Sequence, residues 1–229
     1  MRRRTLLAGA SALPLGAVAQ APVVNPVQSI GPNRFRIGRI EVDKAAGRFT
    51  VPGRVLVTGK ALEYLATSPG GMKAYESLFE LHAGGTEFNL ACILLGLERD
   101  ATQVPIHLFR QEKTLKGPRL RIDVSWGEGE QRQSKPAAAL LLNPEAGVAP
   151  EAVEWIYVGS PASDGRPTFA AQDTGTLIGF SHDANCIIEA ATAVGLGAYG
   201  TVRGHASAPP IDTAITLSVG LWNTNSNAG

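Results

Sequence analysis

Between Gly71 and Ala83 the chain reads MKAYESLFELH, and these eleven residues include Lys73, Glu76, Ser77, Glu80 and His82. A lysine beside a carboxylate can move protons when a dry pocket lowers its pKa. A serine becomes a nucleophile when a base lies within hydrogen-bond reach. A glutamate and a histidine can supply two ligands to a metal. The catalytic candidates are therefore Lys73, Glu76 and Ser77, and the metal candidates are Glu80 and His82. Each has a plainer reading. Read as a strand, the stretch puts Tyr75, Ser77, Phe79 and Leu81 on a core face, and Glu76, Leu78, Glu80 and His82 on a solvated one. Lys73 and Glu76 then point to opposite faces, and only a β-bulge would bring them together. Alternate residues on a strand are about 6.6 Å apart, so Glu80 and His82 would need further ligands from elsewhere. Ser77 is not in a G-x-S-x-G elbow.

Other chemistry-bearing residues are scattered. His82, His107, His182 and His205 stand singly, with no HExxH or HxH pattern. Glu63 and Tyr64, just before this stretch, and Asp164 and Arg166, in the loop SPASDGRP, are the binding candidates; Asp164 and Arg166 or His82 would complete a site around Lys73 and Glu76. In Ser181-His182-Asp183 the aspartate either orients its neighbouring histidine or caps a helix. Gly195, Gly197 and Gly200 match G-x-G-x-x-G but follow a predicted helix, the wrong context for a dinucleotide loop. No cofactor is predicted.

These residues need elements to hold them. Ile37–Val42 reads as a strand. RVLVTGKALEYLATS then gives strand, turn, strand, and Ser68-Pro69-Gly70-Gly71 is the turn of a hairpin into the Lys73 strand. Phe88, Ala91, Cys92 and Leu95 recur at helical spacing, with Thr86 as N-cap. Val104–Gln111 is a strand. Leu120, Ile122, Val124 and Trp126 alternate with Arg121, Asp123 and Ser125, the pattern of a half-buried strand. Residues 136–142 fit a short helix or a strand equally. Glu154–Gly159 and Thr213–Leu221 are strands, and TFAAQDTGTLIGF is two short strands around Thr174-Gly175. DANCIIEAATAVG is a second helix capped by Asp183. The expected fold class is α+β: mostly antiparallel strands with two short helices packed on the sheet, in one domain over 35–222.

The N-terminus, MRRRTLLAGASALPLGAVAQ, has the layout of an export signal. Arg2–Arg4 precede an apolar stretch from Leu6 to Ala19, and Ala17-Val18-Ala19 offers a small-x-small cleavage site before Gln20. Arg3-Arg4-Thr5-Leu6-Leu7 also has twin-arginine character. Residues 1–19 are thus the signal, 20–34 an extended linker with Pro22, Pro26 and Pro32, and 223–229 a polar tail expected to be disordered. The expected location is the periplasm or the medium. Hydrophobic residues make up 44% of the 229-residue chain, enough for a core, yet the apolar runs are too short to span a membrane. Cleavage would leave 18 Lys+Arg against 20 Asp+Glu, with no basic stripe to bind nucleic acid. Cys92 and Cys186 both have apolar neighbours. They are either two buried thiols or a disulfide, which would stabilise by roughly 4–5 kcal/mol in the chain-entropy picture.

The stretch VLVTGKALEYLATSPGGMKAYESLFELHAGGTEFNLACILLGLE resembles the YdjY-domain family. Leu62, Glu63, Tyr64 and Leu65, then Gly71, Lys73, Tyr75, Glu76, Ser77 and Leu78, then Leu94, Leu95 and Gly96 match its pattern. A looser likeness runs through WIYVGSPASDGRPTFAAQDTGTLIGFSHD. Met72 before Lys73, and Cys92 in the helix, depart from the pattern. The resemblance implies an exported bacterial protein, some of whose relatives occur beside ferredoxin-like or other redox components. It carries over no established catalytic residue. The expectation is a non-enzymatic binding or accessory protein with a partner in a redox or envelope system. The alternatives are an enzyme centred on Lys73 and Glu76, and a purely structural envelope protein.

Overall fold

The computed structural model describes residues 26–100, 114–142, 153–162, 168–192 and 202–222. Three long strands organise it: β4 (Arg48–Val55), β7 (Arg119–Trp126) and β14 (Ala214–Leu221). Their period-two patterns put Phe49, Val51 and Val55, Leu120, Ile122 and Val124, and Ile215, Leu217 and Val219 in the interior. The alternate residues, among them Arg48, Thr50, Asp123, Ser125, Thr216 and Ser218, make a polar outer face. The three pair antiparallel in the order β4–β14–β7.

From β7 the ladder runs on through β10 (Trp155–Tyr157), β12 (Ile188–Ala190), β11 (Thr176–Gly179), β5 (Tyr64–Thr67) and β6 (Ser77–Leu81). Strand β6 then pairs back onto β4, through Gly53↔Leu81 and Val55↔Phe79. The result is a closed eight-stranded barrel with a side-chain-filled interior. At Gly53 an added Cβ would lie 2.3 Å from the Glu80 carbonyl oxygen, so glycine permits the close approach of β4 and β6.

Further strands leave the barrel. The meander β1 (Val27–Gly31), β2 (Arg34–Ile37) and β3 (Ile40–Asp43) joins the first residues of β4. Strand β8 (Gln133–Pro136) pairs with the second half of β7, and β9 (Leu141–Leu142) with β13 (Arg203–Gly204).

The expected α+β sheet with helices packed on it is therefore overturned. Helix α1 (Gly85–Leu94) packs Phe88 edge-on against Phe49 of β4, with ring centroids 5.2 Å apart, and touches β2, β3 and β11. Its Asn89 Oδ1 accepts a hydrogen bond from Tyr157 Oη of β10 at 2.9 Å. Those partners lie on different sides of the barrel, so α1 lies across it instead of covering a sheet. Thr86 is not its N-cap; Gly84 is, and the Gly84 N–H donates to Glu87 Oε2 at 3.0 Å.

Several local expectations also change. The single strand expected at 37–42 is split between β2 and β3, which meet at Gly38, with φ +55. The segment read as a linker contains β1. Residues 136–142 form a 3-10 turn, Ala137–Leu140, followed by β9. The segment around Thr174 is a short helix α2 (Ala170–Thr174), closed by Gly175 at φ +77 and followed by β11. The second expected helix is absent from the described part of 183–195: a turn at Asp183 leads into β12. Val104–Gln111, the glycine-rich 195–200 segment, the signal and the tail lie outside the described residues.

The hairpin expected at Ser68–Gly71 does not form. Strands β5 and β6 run parallel, with Tyr64 beside Ser77 and Ala66 beside Phe79. After β5 the Ser68 N–H bonds the Gly175 carbonyl and the Met72 N–H bonds the Thr174 carbonyl, which pulls the chain toward β11. A 3-10 turn, Ala74–Glu76, then returns it to the start of β5. Strands β11 and β12 are parallel as well, joined by the tight return of residues 180–187.

Candidate functional site

The 3-10 turn changes the geometry of the MKAYESLFELH stretch. Three residues per turn place side chains i and i+3 above one another. Lys73 Nζ accordingly donates to Glu76 Oε1 at 2.7 Å, without any bulge. The expectation that the two point to opposite faces is corrected, because the alternation begins only at Ser77. Glu76 is buried and Tyr75 is 62% exposed, the reverse of the expected faces. The ammonium also sits over two rings, 5.8 Å from the Tyr64 centroid and 5.7 Å from that of Tyr75. The Glu76 hydrogen bond raises the Lys73 pKa above the ordinary lysine value, against an opposing pull from partial burial. Ser77, fully buried, donates its Oγ proton to the Lys73 carbonyl at 2.7 Å and so ties the turn to the strand.

Beneath Lys73 lies a network that the sequence reading did not assemble. Tyr64, on β5, donates its phenol proton to Asp183 Oδ2 at 2.9 Å. Asp183 Oδ1 accepts from the Asn185 backbone N–H at 3.0 Å and from Asn185 Nδ2 at 2.9 Å. The Asp183 N–H donates to Glu189 Oε1 at 2.8 Å, and the other oxygen of Glu189 meets His182 Nδ1 at 3.0 Å. His182 holds the left-handed conformation, φ 51, at the apex of the return between β11 and β12. All four of Tyr64, His182, Asp183 and Glu189 are less than a tenth exposed. Glu63 is buried beside them; its N–H donates to the Glu76 carbonyl and its carbonyl accepts from Phe180 N–H.

Burial sets the protonation of these groups. It pushes the Tyr64 phenol well above its ordinary range, and the charge of Asp183 adds to this. Burial raises the Glu189 carboxyl, with the His182 hydrogen bond pulling the other way. The Cys186 thiol is raised by burial first and by Glu189 and Asp183 next. Cys92, on α1, is raised by burial. Both cysteines are free, buried thiols. A buried neutral thiol is a poor nucleophile.

The metal candidates separate. Glu80 Oε1 accepts from Arg54 Nε at 2.9 Å, and Arg54 also reaches Asp212 at 2.6 Å. His82 lies just beyond β6 with its Nδ1 buried and, among the described residues, without a hydrogen-bond partner. Among the described residues no group of three His, Cys, Asp or Glu side chains is disposed to hold a metal ion. Asp164 and Arg166 lie outside the described residues. Two surface grooves lie elsewhere, on the outer face of β4, β14 and β7 and on the neighbouring β2–β3 face.

The structure thus brings Glu63, Tyr64, Lys73, Glu76 and Ser77 together, leaves Glu80 and His82 apart, and adds His182, Asp183, Asn185 and Glu189. A usable signal was present in SHDANCIIEA, where a histidine, two carboxylates and an asparagine are set into a run that is otherwise small or apolar.

Fold and site together define a closed β-barrel protein with a half-buried Lys–Glu pair above a buried polar network. No protein-family model, no curated protein and no solved structure matches the chain, so the likeness to the YdjY-domain family gains no support from these comparisons. Among the described residues no helix is long and apolar enough to cross a membrane.

Proposed function

We propose that this is an exported, non-enzymatic binding or accessory protein that serves a redox or envelope system in the periplasm. The N-terminal sequence supports the location. One observation carries the rest: the lysine, tyrosine and cysteine side chains with shifted pKa values are all shifted away from reactivity, and the one carboxyl that is raised, Glu189, is buried in hydrogen bonds to His182 and the Asp183 N–H. Lys73 is held as a cation by Glu76, and Tyr64, Cys92 and Cys186 are held neutral by burial. Catalytic groups are instead tuned toward the working pH.

The rival reading, an enzyme centred on Lys73 and Glu76, is favoured by their 2.7 Å contact. The two readings part on turnover. Protein released from the periplasm by osmotic shock is tested for hydrolysis of p-nitrophenyl esters and phosphates and for oxidation of reduced viologen. We expect no turnover above background. A turnover that Glu76→Gln abolishes while the circular dichroism spectrum is unchanged would establish the enzyme instead. Recovery of the chain only in the cytoplasmic fraction would remove the periplasmic assignment.

A further inference from the structure

We propose that the outer face of β4, β14, β7 and β8 binds a small hydroxylated anion, a sugar or polyol carrying a phosphate or carboxylate, between Arg48 and Arg132. The proposal rests on the binding reading above and assigns it a site and a ligand class. It uses none of the Lys73 residues.

The site is an open groove of about 260 Å³. Its floor is made of short side chains. Thr50, Thr216, Ser218 and Ser125 project from three adjacent strands, and Ser134 of β8 is the cross-strand partner of Ser125. Arg48 and Arg132 are its guanidinium groups. A second hollow, of about 90 Å³, adjoins it and shares Arg48 and Thr50.

The carboxylates near the groove already have partners. Asp123 takes two bonds from Arg121, at 2.7 and 3.3 Å. Glu41 takes Arg36 at 2.8 Å and Arg34 at 3.5 Å. Asp43, across from Arg48 in the ladder, turns Oδ1 to the Ala46 N–H at 2.9 Å. Arg48 has no carboxylate partner within ion-pair distance among the described residues, and Arg132 reaches only the neutral Ser125 Oγ, at 3.2 Å. The charged residues that line the groove are Arg48 and Arg132 against Asp123, which leaves it with a net positive charge.

A guanidinium presents a planar fork of donors that matches the oxygens of a phosphate or carboxylate. Hydroxyls both donate and accept, so a floor of five of them suits the hydroxyls of a sugar or polyol. Among the described residues, the hydroxyls of Thr50, Ser134, Thr216 and Ser218 make no hydrogen bond within the protein. The groove is near the small end of the range for ligand sites, which fits one such molecule.

The test is a titration of the ¹⁵N-labelled mature protein with glucose 6-phosphate, glucuronate, glucose and inorganic phosphate, followed by amide shifts. The two sugar anions should give saturable shifts centred on Thr50, Ser125, Thr216 and Ser218. Glucose should give none, and inorganic phosphate should bind more weakly than glucose 6-phosphate. Added NaCl should weaken the binding. Arg48→Gln with Arg132→Gln should weaken it at least tenfold with an unchanged melting temperature. Shifts centred elsewhere, affinity retained by the double variant, equal binding of glucose and glucose 6-phosphate, or no binding by any probe would each overturn the proposal. Native mass spectrometry of protein released from the periplasm separates the two levels. A co-purified ligand that the double variant also retains removes the groove but keeps the binding reading. No added mass together with no binding by any probe removes both.

Discussion

Tyr64 links the Lys73–Glu76 pair to the interior. Its ring underlies the Lys73 ammonium and its hydroxyl donates to the buried carboxylate of Asp183. In Tyr64→Phe the ring contact survives but Asp183 loses a donor. A buried polar group left short of a partner costs about 1–3 kcal/mol, so urea unfolding should show a loss of that size. A loss below about 0.5 kcal/mol, the usual range for surface substitutions, would mean the bond is replaced without cost. The Lys73–Glu76 pair is less symmetric than it looks, because Glu76 is buried and the Lys73 side chain is 32% exposed. Lys73→Met leaves a buried carboxylate without its cation, whereas Glu76→Gln keeps an acceptor and leaves the ammonium access to water. Lys73→Met should therefore be the more destabilising of the two in the same unfolding assay, and the opposite order would show that the ammonium depends on the carboxylate more than the reverse.

The strands around this site depend on close backbone approach. At Gly53 a methyl group would meet the Glu80 carbonyl where β6 closes onto β4. Gly53→Ala should cost about 1–3 kcal/mol, as other overpacked positions do. Hydrogen exchange should show the loss first in the amides that join β4 to β6. Uniform loss across the barrel would mean that this seam opens only with global unfolding. The parallel pairs β5–β6 and β11–β12 are the other unusual elements. Each is joined by a short irregular return, and the return between β11 and β12 is held by Asp183, Asn185 and Glu189.

The molecule as a whole keeps several acids protonated. Tyr64, Tyr157, Cys92 and Cys186 all have pKa values raised in the folded state from ordinary values of 10.0 for the phenols and 9.0 for the thiols. Above about pH 9 the unfolded chain releases these protons while the folded chain keeps them. The folded state then binds more protons, so stability falls as pH rises. Lys73 acts in the same direction: its contribution is full below 10.5 and is lost as pH rises through its raised value. Glu189 gives a separate decline that starts near its ordinary 4.5. Urea unfolding between pH 7 and 10.5 should show stability dropping progressively beyond pH 9, and a flat profile would contradict the burial of these groups. A thiol reagent such as Ellman's should leave both cysteines untouched in the native protein and modify both in urea. Rapid modification of either in the native state would contradict its burial.

The residues themselves determined two of the three long strands, the longer helix and their faces, whereas β4 was expected to begin only at Arg54 and in fact ends at Val55. The alternation in 120–126 and in 213–221, and the stripe Phe88, Ala91, Cys92, Leu95, give β7, β14 and α1, because a side-chain period shows once an element is long enough to repeat it. Lys73, Glu76 and Ser77 were readable as catalytic candidates and Glu63 and Tyr64 as separate binding candidates, but their meeting at one place was not. Barrel closure, the parallel pairs and the partnership of Tyr64 with Asp183 and Glu189 came only with the folded chain. Strand β12 has three residues, too few to show a period, and its segment reads as a helix instead. Tyr64 and Asp183 are 119 residues apart, and no local pattern encodes a pairing at that separation. The 3-10 turn at Ala74–Glu76 was missed for a related reason: its direction is set by bonds from Ser68 and Met72 to Gly175 and Thr174, about a hundred residues further along the chain.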